Sequence, residues 1–164
     1  MNCFIIASLS ADGFIGMDAS HSSFDWNSAE DKKRFVELTK RAGVIVVGST
    51  TFATFKKPLK DRLNIIYSHS QSFEGAEVTQ KEPAELLKDL EGRGFTEVAI
   101  CGGAHIYSMF IKAGVVDTLY LTIEPIVFGG GIKLFSEAFT AKLKLENSVT
   151  TEDGTLLLEY SVRQ

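Results

Sequence analysis

The sequence is short of several features that would mark out particular classes of protein. Only two cysteines, Cys3 and Cys101, occur in 164 residues; both sit inside apolar runs and form no CxxC, which argues against a disulfide scaffold or a zinc cluster. The three prolines (Pro58, Pro83, Pro125) are scattered, and no repeat or Pro/Ser-rich linker divides the chain. No apolar run approaches the ~18 residues of a membrane span. The run after Met1 lacks the basic flank of a signal peptide. Basic residues are also scarce: 17 Lys plus Arg against 21 Asp plus Glu give a net charge of −4. No basic run exceeds Lys32-Lys33-Arg34, which argues against nucleic acid as a partner. His21, His69 and His105 have no metal-ligand spacing, so no metal is expected. A G-x-S-x-G elbow and a G-x-x-x-x-G-K-[ST] loop are absent, and no G-x-G-x-x-G follows the first strand. What is left, at 45% apolar and 23% charged residues, is a single cytoplasmic domain over residues 1–164 with enough apolar sequence for one core.

Short apolar runs bounded by Gly, Asp or Ser predict buried strands at Cys3–Leu9, Val44–Val47, Asn64–Tyr67, Glu97–Cys101 and Thr118–Ile123, with a weaker one at Glu77–Val78. Leu143–Thr150 and Thr155–Val162, joined through Asp153-Gly154, predict a terminal hairpin. Helical spacing falls between the strands: Ala29–Lys40 behind a Ser28 N-cap, Pro83–Glu91, Ala104–Ala113, and a short helix near Ser49. Strand–helix alternation closed by a hairpin predicts a three-layer α/β fold. Its central sheet is mostly parallel, with an antiparallel C-terminal hairpin and about four helices. Ligands in such sheets bind beyond the carboxyl ends of the strands.

Two strand-to-helix junctions there are glycine-rich, Gly48-Ser49-Thr50-Thr51 and Gly102-Gly103-Ala104. Each is either an ordinary tight turn or a place where a helix N-terminus meets phosphate. Asp31, at capping-box spacing from Ser28, is a helix-start acid. It lies one turn before Phe35 on the same helix face, so it can equally offer its carboxylate to two parallel N–H donors of an amino-pyrimidine. Arg62 is either a solvated arginine or a fork for a substrate carboxylate.

Several stretches in this order resemble dihydrofolate reductase over nearly the whole chain. They are Ile6-Ala7-Ser8, Phe14-Ile15-Gly16-Met17, Trp26-Asn27-x-x-x-Asp31-x-x-x-Phe35 and Val46-Val47-Gly48-x-x-Thr51-Phe52. They continue with Lys57-Pro58-Leu59-x-x-Arg62-x-Asn64-Ile65-Ile66, Gly102-Gly103-Ala104-x-x-Tyr107 and Leu119-Tyr120-Leu121-Thr122. The resemblance implies hydride transfer from NADPH to C6 of dihydrofolate, with a monomer or homodimer as the unit. Asp31 then grips the pterin 2-amino and ring N–H, Thr122 supports it by a hydrogen bond, and Trp26 completes the catalytic group. Phe35 packs on the ring, Arg62 takes the glutamate-tail carboxylate, and Ile6, Ser8, Phe55 and Cys101 complete the substrate side. The cofactor side is implied to comprise Ala7, Ile15, Gly16, Gly48, Ser49, Thr50, Thr51, Ser68, His69, Cys101, Gly102, Gly103, Ala104, His105, Ile106 and Tyr107. The Gly102–Gly103 peptide is implied to be cis, and the loop Gly16–Asp25 to close over the nicotinamide. Departures from the family are a loop DASHSSFD longer than usual and Lys32 after the acid. Ser49 and His105 stand where arginines often meet the 2′-phosphate, with Ser49, Thr50, Ser68 and His69 as replacement donors.

A second resemblance is to the reductase domain of riboflavin biosynthesis, which acts on a diaminopyrimidine ribosylamino phosphate with NADPH. It rests on Ser10-Ala11-Asp12-Gly13, Ser28-x-Glu30-Asp31, the segment Ala113-Gly114-x-Val116-Asp117-x-Leu119-x-Leu121-Thr122-Ile123-x-Pro125, and Phe128-Gly129-Gly130-Gly131-Ile132-x-Leu134-Phe135. The Arg62 context and Trp26 five before the acid favour the folate reading, as does the absence of a basic cluster in Met17–Asp25. A non-catalytic pterin- or nucleotide-binding module is the reading from a different class.

Overall fold

A computed structural model of the protein describes residues 1–163. Its elements run in the order β1 (Asn2–Ser10), β2 (Phe14–Gly16), a 3-10 turn (Ser23–Asp25), α1 (Ala29–Ala42), β3 (Val44–Gly48), α2 (Ser49–Phe55), β4 (Leu63–Tyr67) and β5 (Glu77–Thr79). There follow α3 (Pro83–Gly92), β6 (Glu97–Ile100), α4 (Ala104–Lys112), β7 (Thr118–Glu124), β8 (Ile132–Lys133), β9 (Lys142–Thr150) and β10 (Leu156–Arg163). Eight strands make one sheet in the order β5-β4-β3-β6-β1-β7-β10-β9. The first six are mutually parallel, and β10 is antiparallel to both its neighbours. This is the three-layer α/β fold the pattern predicts.

The reason lies in alternation. Along β1, Cys3, Ile5 and Ala7 face one layer, where Leu86 and Leu90 of α3 and Phe110 of α4 pack. Phe4 and Ile6 face the other, against Ala42 of α1 and Phe52 of α2. Val44–Val47 of β3 is buried on both faces, which is why that strand reads as an unbroken apolar run. Helix α1 begins where Ser28 Oγ accepts the Asp31 N–H at 3.2 Å. It outlasts the predicted Lys40 by two residues, because Arg41 and Ala42 continue the helix until Gly43 turns left-handed at φ 73°.

Two short elements escape the periodicity argument. Strands β2 and β8 pair antiparallel, Phe14 with Lys133 and Gly16 with Ile132. At two or three residues each they carry no readable period. They tie the segment after β1 to the loop after β7, and Asp12 reinforces the link by accepting N–H bonds from Phe128 and Gly129. Among the described residues no helix is long and apolar enough to cross a membrane.

Candidate active site

The carboxyl ends of β1, β3 and β6 open into one cleft of about 1000 Å³, at the upper end of small-molecule sites. One wall is made by the two glycine junctions, which are bonded to each other. The Gly48 N–H donates to Gly102 O at 2.8 Å, and the Cys101 N–H donates to Val46 O at 2.8 Å. The Gly102–Gly103 peptide is cis. A Cβ at position 103 would stand 2.9 Å from Thr51 Oγ1, so a larger residue there must displace the Thr51 side chain. Neither α2 nor α4 has a side-chain cap, so the first-turn N–H groups of both face the cleft without a protein oxygen set against them. An anion is the natural partner for uncapped helix starts. The buried Tyr107 hydroxyl pins α4 in place by donating to Ile6 O at 2.7 Å.

The opposite wall holds the acid. Asp31 is only 3% exposed. Its Oδ2 accepts from Ser8 Oγ at 2.5 Å and from Asn27 Nδ2 at 2.6 Å. Behind it lies a second buried carboxylate, Glu124, also 3% exposed. Glu124 Oε1 accepts from the Ser28 N–H at 2.7 Å and from Ser28 Oγ at 2.8 Å, and its Oε2 accepts from Thr155 Oγ1 at 2.8 Å. Ser28 Oγ thus donates to Glu124 while accepting the Asp31 N–H, so Glu124 holds the helix start that carries the acid. Arg34 lies on the same helix and donates to Leu121 O and Leu158 O. Burial pulls the Arg34 guanidinium below its ordinary value, and the nearby Asp31 charge opposes that shift. Burial pushes the Cys101 thiol well up, so it is no thiolate nucleophile.

Of the residues singled out by sequence, all but Trp26, Thr122 and Arg62 line the cleft. Thr122 sits beside Ser8 in the β1–β7 register, yet its buried Oγ1 has no partner. The expected Thr122–Asp31 hydrogen bond is therefore absent, and Ser8 with Asn27 supplies the donors instead. Trp26 Nε1 is likewise buried without a partner, its ring packed edge-on to Phe128 at 5.1 Å. Arg62 is held by Lys60 O and Thr39 Oγ1 at 2.8 Å each, away from the cleft lining. The loop Gly16–Asp25 forms one side of the opening through Asp18, His21 and Phe24. Phe24 packs with Phe35 and with Phe55, both at 5.6 Å, into an aromatic group beside Asp31. Sequence reasoning passed over Asn27, Phe24, His21 and Glu124. Asn27 had a signal, its place one helical turn before Asp31. Glu124 had none, because its partners Ser28 and Thr155 are distant in the chain.

A parallel sheet with an acid on one wall of its cleft and paired glycine-headed helices on the other defines an α/β domain with a small-molecule site at its strand ends. Residues 3–157 match the RibD C-terminal domain, and the chain belongs to that oxidoreductase family. This is the second of the two resemblances, not the one the Arg62 and Trp26 contexts favoured. Dihydrofolate reductase type 3 of Salmonella typhimurium is 32% identical over 122 residues, covering 72% of this chain and 68% of that protein. Among solved structures, a pyrimidine reductase-like protein from Corynebacterium diphtheriae superposes with a TM-score of 0.81 at 22% identity, over 99% of this chain and 92% of that one. A second is the diaminohydroxyphosphoribosylaminopyrimidine deaminase/5-amino-6-(5-phosphoribosylamino)uracil reductase of Thermotoga maritima. It superposes at 0.79 with 16% identity, over 99% of this chain and 56% of that one. At these identities the two structures establish likeness of fold.

Proposed function

We propose that the protein is an NADPH-dependent reductase of a ribosylaminopyrimidine, the riboflavin-pathway type of reaction. The observation that carries the reading is one cleft with a buried, hydrogen-bonded carboxylate on one wall and two uncapped, glycine-headed helix starts on the other. Family membership supports this substrate over dihydrofolate.

The residues present suit a dinucleotide. Gly48 and Gly103 let the backbone approach closely, and the helix starts at Ser49 and Ala104 meet the phosphates. No arginine lines this wall, so Ser49, Thr50, Ser68 and His69 serve the 2′-phosphate. When bound, the nicotinamide supplies the hydride. The protein's own part is to bind and orient. Asp31 takes a ring N–H at the oxygen that Ser8 and Asn27 leave free. Phe24, Phe35 and Phe55 cover the ring and keep water from its apolar face. Asp18, His21 and Phe24 narrow the mouth.

Dihydrofolate is the second reading, favoured by the aromatic group beside Asp31 and by the Salmonella relative. Loss of NADPH absorbance is followed with 5-amino-6-(5-phosphoribosylamino)uracil, the ribosylaminopyrimidine on which the Thermotoga maritima protein's reductase acts, and, separately, with dihydrofolate. Turnover of the first alone is expected. Turnover of dihydrofolate alone reverses the assignment, and binding of NADPH without turnover of either marks a non-catalytic module.

A further inference from the structure

The hydrogen bonds around Asp31 are unevenly shared between its two oxygens. A carboxylate oxygen has two lone pairs, each suited to one strong donor. Both on Oδ2 are used, by Ser8 Oγ at 2.5 Å and by Asn27 Nδ2 at 2.6 Å. Among the described residues Oδ1 accepts no hydrogen bond, and Asp31 lines the cleft. Two parallel N–H donors on a ring need both oxygens, one each. Here such an edge meets one free oxygen and one already filled.

We propose that Ser8 and Asn27 are specificity-determining residues that reduce Asp31 to a single-oxygen acceptor. They set the site against rings presenting two parallel N–H donors and in favour of a pyrimidinedione-type edge, which offers one N–H beside a carbonyl. The inference rests on reading the Asp31 wall as the ring site. Ser8 acts through Asp31 and is a positioning residue in that sense. Its effect is to occupy an oxygen, which only a hydroxyl at this place in β1 can do.

The test measures binding of 2,4-diamino-5-benzylpyrimidine, whose protonated edge has two parallel donors, by calorimetry to the NADPH-loaded protein. The wild type is compared with Ser8→Ala, Ser8→Thr and Asn27→Ala. Freeing one lone pair for a charge-assisted bond is expected to tighten binding about tenfold or more in Ser8→Ala. Ser8→Thr, which keeps the hydroxyl, should stay at the wild-type value, and Asn27→Ala should shift in the same direction as Ser8→Ala. A merely structural role cannot produce a gain of affinity. Tight binding to the wild type with no gain in Ser8→Ala and Asn27→Ala overturns this inference and leaves the reductase reading standing. Failure of every variant to bind either this probe or 5-aminouracil, with NADPH binding intact by its fluorescence, overturns both. If Ser8→Ala does not fold, Asn27→Ala decides alone.

Discussion

Glu124→Ala removes the carboxylate that joins the start of α1 to the hairpin, and the structure allows its cost to be worked out. Three donors lose their acceptor: the Ser28 N–H, Ser28 Oγ and Thr155 Oγ1. Hydrogen bonds to a charged group contribute about 1.5–3 kcal/mol each, a gross loss of roughly 4–9 kcal/mol. Glu124 is 3% exposed, so solvent screening does not shrink these terms. Deleting a buried charge also relieves its desolvation, which offsets several kcal/mol. The net destabilisation is then about 2–4 kcal/mol. For a chain of this length that corresponds to a fall in Tm of roughly 5–15 °C. Thermal melting followed by far-ultraviolet circular dichroism measures it, with urea denaturation giving the free energy directly. Glu124→Gln keeps an acceptor for Ser28 and should lose less than half as much. Because Ser28 Oγ also caps the Asp31 N–H, ring binding should weaken in Glu124→Ala at temperatures where the protein is fully folded. A Glu124→Ala melt within about 2 °C of wild type would refute the view that this carboxylate secures the helix start.

Other outcomes follow from the same geometry. Asp31→Asn puts an amide where Ser8 and Asn27 both donate, and turnover at neutral pH should fall roughly 100-fold or more while NADPH binding holds, by steady-state kinetics and fluorescence titration; near-normal turnover would leave Asp31 as a structural acid only. Gly103→Ala drives a Cβ against Thr51 Oγ1 and should weaken NADPH binding with little change in ring binding, and an unchanged NADPH affinity would show that the two junctions do not form the dinucleotide wall. Asp12 is held below the ordinary aspartate range chiefly by Ser10, with the Gly129 and Phe128 N–H groups adding to it. A lowered native value means that its support for the β1–β2 turn is complete above the unfolded pKa near ~3.9 and is lost as pH falls through the lower native one. The Gly129 amide shift, followed by NMR, should therefore titrate with a midpoint below that value, and a midpoint at or above it would contradict the tether.

Much of the fold could be read from the chain because the strands announce themselves. Val44–Val47 is a run buried on both faces, Asp153-Gly154 marks the hairpin, and Ser28 and Gly43 bound α1 through ordinary cap chemistry. Strands β2 and β8 could not be read, since two or three residues have no period and their pairing joins segments over a hundred residues apart. The glycine junctions and Asp31 were legible as candidates because local motifs place them at strand ends. What could not be read was partnership. Thr122 and Ser8 are both polar residues on strands facing the acid, and only the packed register decides that Ser8 reaches Asp31 while Thr122 does not. Arg62 is another case: its motif suggested a carboxylate fork, and its bonds to Thr39 Oγ1 and Lys60 O are not announced by that motif. The family match falls with the Ser10–Gly13 and Phe128–Phe135 resemblance rather than with the one the Arg62 and Trp26 contexts favoured.

On the proposed reading, this cleft reduces a ribosylaminopyrimidine. The direct measurement is the rate of NADPH oxidation at 340 nm by purified protein, with 5-amino-6-(5-phosphoribosylamino)uracil and with dihydrofolate at matched concentrations. Turnover with the ribosylaminopyrimidine is expected, with at most a trace with dihydrofolate. Turnover with dihydrofolate and none with the ribosylaminopyrimidine would contradict it.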